Sequence, residues 1–181
     1  MKGSRALGVL LFVTIIVAIV AVVRVSSAQQ PVSEETISGT ISATRVITQN
    51  ARLRGDVTCM VQAAPCIQFG APGLTLNLSG FTMTGQGDPS TGCQGQATGG
   101  EVGVLVNGQT DETIQGPGLV QRFRNAGIFL TNNSSRIRVT QVTVSTNCLS
   151  GILVDPASDS LIEENVSVRN GNMTPRTQKI T

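Results

Sequence analysis

Arg122, Arg124, Arg136 and Arg138 form two closely spaced pairs in a short stretch of chain. Guanidinium groups clustered in this way can grip the carboxylates of an acidic polysaccharide through bidentate hydrogen bonds. The plainer reading is structural. Arg136 falls one repeat above Glu112, and an exposed ion pair between them contributes roughly 0–1 kcal/mol. Glu163 and Glu164, with Asp155 and Asp159, form the main cluster of acids outside the Glu34-Glu35 pair. They could bind Ca²⁺, which takes about 6–8 oxygen ligands, or supply a general acid and base. Their plainer reading is as solvated turn residues, since Val139 and Thr140 occupy the equivalent positions one repeat earlier and no acidic ladder forms. The chain has no His, Tyr or Trp. That removes the imidazole base, the Ser-His and Cys-His nucleophile pairs, and the aromatic faces on which sugars usually stack. No catalytic residue, metal site or cofactor is therefore assigned, and Ca²⁺ enters only under an enzymatic reading.

The elements that must position these residues follow from an internal repeat. Gly103-Val104-Leu105-Val106, Gly127-Ile128-Phe129-Leu130 and Gly151-Ile152-Leu153-Val154 share a strict 24-residue frame. Cys66-Ile67-Gln68-Phe69 joins them once a 13-residue insertion between Thr84 and Val102 is allowed. Each copy holds three short stretches, most with apolar residues two apart, which is strand periodicity. Between them lie turn formers, as in Gly116-Pro117-Gly118, Asn132-Asn133-Ser134-Ser135 and Asp155-Pro156-Ala157-Ser158. Three short strands recurring in such a frame describe one coil of a parallel β-helix, an all-β solenoid. Each strand pairs with its equivalent one coil along, at about 4.8 Å. The spacing predicts inward rows Ile67, Val104, Ile128, Ile152 and Phe69, Val106, Leu130, Val154. It predicts about four clear coils over residues 66–174, with Ile37–Cys59, within the N-terminal segment 29–65, as a capping rung. An antiparallel sandwich is the rival, but it would not need so strict a frame.

Leu105, Phe129 and Leu153 share one outward position in successive coils. Such an apolar stripe marks an interface, either with a partner or with the chain's own N-terminal segment. The Gly-rich insertion 84–102, which contains Asp88 and Cys93, reads as a tethered loop. No Gly-Lys-Ser/Thr follows it, so phosphate cradling is not expected. Asn77, Asn132, Asn133, Asn165 and Asn172 head Asn-x-Ser/Thr sequons, which matter only in a eukaryotic secretory route.

Residues 1–28 read as a leader. Met1–Arg5 carries two positive charges, Ala6–Val23 is an uncharged apolar run, and Ser26-Ser27-Ala28 suits signal peptidase. Cleavage after Ala28 is the preferred reading. The run is also long enough to leave a retained membrane anchor open, so a membrane contact is expected only through this segment. Three of the 13 Lys and Arg lie in the leader, which leaves 10 against 11 Asp and Glu. A nucleic-acid partner loses its support on that balance. Cys59, Cys66, Cys93 and Cys148 are an even set in an exported chain and favour disulfides. Three pairings are open, with Cys59–Cys66 and Cys93–Cys148 preferred. A zinc site lacks both His and CxxC spacing.

The pattern of Gly127–Asn147, Gly-Ile-x-Leu followed by spaced Ile and Val and a closing Asn, resembles the repeats of right-handed parallel β-helix proteins of the pectate-lyase-like superfamily. Leu74–Gly85 and Ile114–Val120 are similar to the openings of those repeats, and the resemblance covers roughly residues 45–172. It implies a right-handed, single-stranded coil stack. It implies little about activity, since the superfamily holds polysaccharide lyases, hydrolases, epimerases and non-catalytic surface proteins. The carboxylate cluster and Arg base of its lyases, and the Asp cluster with His of its hydrolases, have no counterpart here. Arg136-Ile137-Arg138 is the nearest approach to the hydrolases' Arg-Ile-Lys segment. The frame would open another coil at Pro175, where no Gly-Ile-x-Leu stands, so 175–181 reads as the irregular tail of a truncated chain. The expected function is an exported or cell-surface binding or structural module without catalysis, with a polysaccharide or a surface partner. The alternative is the N-terminal portion of a polysaccharide-processing enzyme. The oligomeric state is left open.

Overall fold

A computed structural model describes residues 34–87, 93 and 100–171. The leader 1–28, Asp88, Asn172 and the tail 175–181 lie outside the described residues. Among the described residues there is no helix, and so none long and apolar enough to cross a membrane.

The strands are β1 (Glu35–Ile41), β2 (Arg45–Ile47), β3 (Ala51–Cys59), β4 (Ile67–Phe69), β5 (Thr75–Asn77), β6 (Thr82–Thr84) and β7 (Val104–Asn107). They continue as β8 (Thr113–Gln121), β9 (Ala126–Ser135), β10 (Arg138–Ser145), β11 (Ser150–Ser158), β12 (Leu161–Glu163) and β13 (Val166–Val168). They form two sheets. One runs β1-β3-β5-β8-β10-β12, with β6 beside β3 and β8, and β13 beside β10. The other runs β2-β4-β7-β9-β11. Among the described residues every strand pairing is parallel. From β2 onward the chain alternates between the two sheets, with β5 and β6, and likewise β12 and β13, sharing one visit to the first, so each strand lies beside the equivalent strand of the preceding repeat. The segment read as a capping rung supplies β1, β2 and β3 and extends both sheets by in-register pairs such as Val46↔Gln68 and Ala51↔Leu76.

Period-two alternation sends one face of each strand inward. Ile67, Val104, Ile128 and Ile152 pair in register, as do Val106, Leu130 and Val154. On the other sheet Ala51, Leu76, Ile114, Val139 and Ile162 form a comparable row. Residues from both sheets join one apolar core that includes Ile47, Phe69, Leu76, Met83, Ile128 and Leu130. At β11, β12 and β13 the cover ends: Val154, Leu161, Ile162, Val166 and Val168 are each more than two-fifths exposed.

Three details depart from the sequence reading. Gly116-Pro117-Gly118, Asn132–Ser135 and Asp155–Ser158 lie inside β8, β9 and β11, where turns were expected between strands. Pairing continues through these corners because a register shift, at Thr140/Val142 and at Asp155/Ala157, absorbs the bend. The frame also slips. Val166 and Val168 pair with Thr143 and Ser145, in place of the expected Val142 and Val144. A one-residue slip exchanges the two faces, so both valines follow the outward side. Finally, Glu163 stacks on Thr140 where Val139 was expected.

Glycine at position 116 is required by close approach. A Cβ there would sit 1.8 Å from the carbonyl oxygen of Gln141, a backbone atom that cannot swing aside. Gly116→Ala is expected to cost about 2 kcal/mol by overpacking, read as a lower urea midpoint with an unchanged slope. A midpoint equal to wild type would show that β8 and β10 can part at this corner without penalty.

Candidate functional site

The four arginines do not converge. Arg136 and Arg138 sit where the chain enters β10, beside the start of β8, whereas Arg122 and Arg124 follow the end of β8. Each is engaged by the chain itself. Arg136 donates through Nε and Nη2 to the two carboxylate oxygens of Asp111, at 2.6 and 2.7 Å. These hydrogen bonds hold the Asp111 carboxyl below its ordinary range and raise the Arg136 guanidinium. Arg138 bridges to Glu163 of the next repeat. Both pairs are open to water and contribute little to stability.

The expected cross-repeat ion pair of Arg136 therefore exists, but its acid is Asp111 and not Glu112. The backbone decides this. Thr75, Thr113 and Arg138 are in register, so Leu74, Glu112 and Ile137 precede them in a row. The Glu112 side chain follows that row inward and is fully buried, and neither carboxyl oxygen has a hydrogen-bond partner. Burial pushes its pKa up to about 7. Its own backbone amide opposes the rise, and the nearby Asp111 charge adds to it.

Arg122 and Arg124 belong to the anchorage of the insertion. Arg122 Nε donates to the carbonyl of Gly87 at 3.0 Å, near the point where the insertion leaves. Where it returns, Arg124 Nη1 donates to both oxygens of Glu101, at 2.8 and 3.0 Å. Glu101 is only 4% exposed at its side chain and also accepts from the amide of Ala63. Between these two points Cys93 is bonded to Cys148, at the turn after β10; the other disulfide, Cys59–Cys66, joins the end of β3 to the residue before β4. Sequence reasoning passed over Glu101. The signal was present: it lies two residues before Gly103, as Arg124 lies three before Gly127, so their turns are neighbours in the stack.

Asn147 is a second residue whose weight the sequence understates. Fully buried, it accepts from the amide of Phe123 and donates to the carbonyl of Val120 and to Oδ1 of Asn170. Asn170 repeats the arrangement one unit on, accepting from the amide of Asn147 and donating to the carbonyl of Val144. Asn side chains supply the partners that bent backbone at these corners would otherwise lack.

Leu105, Phe129 and Leu153 pair in register as the expected outward stripe, and each is half-buried. Among the acids of the last repeat, Glu163 is held by Arg138 and Glu164 accepts from Gln141. No group of three or more His, Cys, Asp or Glu among the described residues could hold a metal ion. The two disulfides point to an oxidising compartment. No family model, curated protein or solved structure matches the chain.

Proposed function

We propose that the chain is an exported, right-handed parallel β-helix, with four coils in a 24-residue frame above an N-terminal rung, serving as a non-catalytic binding or structural module. The strand order supports the solenoid: two parallel sheets, each taking one contribution per repeat, with inward apolar rows along the stack. The engagement of the arginines supports a module over an enzyme, and this observation carries the proposal. All four of the chain's candidate substrate-gripping arginines already hold acceptors of the chain itself, and the Arg136 and Arg138 pairs tie successive coils together. Export rests on the positively charged leader, its Ser-x-Ala site and the paired cysteines. A polysaccharide or a surface protein is the partner class, since Thr75, Asn77, Thr113, Gln115 and Thr140, which alternate with the inward residues of the first sheet, offer hydroxyl and amide groups to either.

Full-length protein incubated with polygalacturonate tests the proposal. Neither unsaturated products nor new reducing ends are expected. Turnover would overturn the proposal and bring forward the polysaccharide-processing alternative. Arg136→Ala with Arg138→Ala would then locate the activity: loss of turnover assigns it to these residues, and unchanged turnover excludes them.

A further inference from the structure

We propose that Glu112 is a built-in acid sensor: a neutral carboxylic acid sealed into the apolar interior, whose ionisation loosens the corner where the chain enters β8. The geometry carries the argument. The side chain has no exposed surface, and both of its oxygens lack a partner. Its neighbours in the inward row are Leu74 on one side and Ile137 on the other, neither able to donate a hydrogen bond from its side chain. With no cation beside it and only its own backbone amide nearby, a carboxylate is strongly disfavoured in such a place, and the group keeps its proton instead.

The charged groups around this corner make the device two-sided. Asp111 is its neighbour in sequence and faces Arg136 outside. Arg136 also feels Asp159 of the following repeat. Arg138 presents its backbone amide to the Glu112 carbonyl at 2.8 Å, while its side chain goes to Glu163. From the β5 side no charged residue faces the carboxyl, since residues 71–81 contain none. An ionised Glu112 thus has no cation to pair with where it sits, and the Arg136 guanidinium across the corner already holds Asp111. Leaving the interior breaks the row, and the corner opens.

The sign follows from the raised pKa. The folded state binds the proton more tightly than the unfolded chain, so its advantage is complete below the ordinary value near 4.5 and gone above about 7. Across that window the folding equilibrium constant should fall by two to three powers of ten relative to a variant without the carboxyl.

Two measurements on the full-length chain test this. In urea titrations from pH 4.5 to 8, wild type should lose stability relative to Glu112→Gln by roughly a hundredfold or more. Parallel pH profiles for the two would overturn the proposal. Glu112→Met serves the same comparison if the Gln variant does not fold. Independently, the carboxyl carbon of Glu112, followed by ¹³C NMR in wild type, should titrate well above the ordinary glutamate range. A midpoint at or below 4.5 would overturn the proposal without any variant.

Discussion

Cys93→Ala combined with Cys148→Ala is expected to lower the unfolding free energy by about 4 kcal/mol, while Cys59→Ala with Cys66→Ala should cost only about 2.5. The difference comes from the unfolded chain. A bond between residues 55 apart removes far more freedom from that chain than one between residues 7 apart, and the gain grows with the logarithm of the closed loop. Urea midpoints of the two double variants, at protein concentrations low enough to avoid exchange, read the contrast directly. Equal losses would mean that both bonds act through folded-state packing, since all four cysteines are nearly inaccessible. A loss below about 1 kcal/mol at Cys93–Cys148 would mean that Arg122 and Arg124 hold the insertion unaided.

Arg124→Ala should cost about 3 kcal/mol, far more than Arg136→Ala or Arg138→Ala. The three ion pairs look alike on paper, but their surroundings differ. Glu101 is 4% exposed, whereas Asp111 is 51% exposed and Glu163 38% exposed. Removing Arg124 strands a buried charge, whose cost is that of an uncompensated carboxylate. Removing Arg136 returns Asp111 to water and should cost less than about 1 kcal/mol. The check is a double-mutant cycle with Glu101→Gln and Arg124→Met. A coupling above about 2 kcal/mol is expected. Coupling near zero would show that the amide of Ala63 and surrounding water already satisfy Glu101.

The period of the sequence carried most of the fold, because each repeat must satisfy the same inward positions and therefore repeats the same residue types. Ile67, Val104, Ile128 and Ile152 could be placed in one row with no structure at hand. The spacing could not reveal where the period flexes. Near the start of β8 and β10, Thr113 pairs with Arg138, one residue beyond the regular frame. Between β10 and β13, Thr143 pairs with Val166, one residue short of it. Those single-residue adjustments decide that Asp111, not Glu112, meets Arg136, and that Val166 leaves the inward row. The candidate site was less legible for the same reason. Whether a charged side chain next to a corner turns in or out depends on one bulge, and Asp111 and Glu112 are adjacent acids that composition cannot tell apart. Glu101 was hidden differently, as an isolated acid at the end of a Gly-rich insertion whose partner comes from the following repeat.

Between β7, β9 and β11 the distance along the chain from one stacked strand to the next is constant, and this has a consequence for assembly. Val104 meets Ile128, and Ile128 meets Ile152, at one and the same sequence separation. Each new layer therefore closes a loop of the same modest size however many layers lie beneath it, so the search for contacts does not lengthen as the stack grows. The insertion stretches one of these closures, the one from Ile67 to Val104, by about half its length. With a logarithmic dependence on length, that adds only about 0.4 kcal/mol. A longer connection between layers is thus nearly free in closure entropy, and what limits a loop such as 84–102 is the anchorage of its two ends.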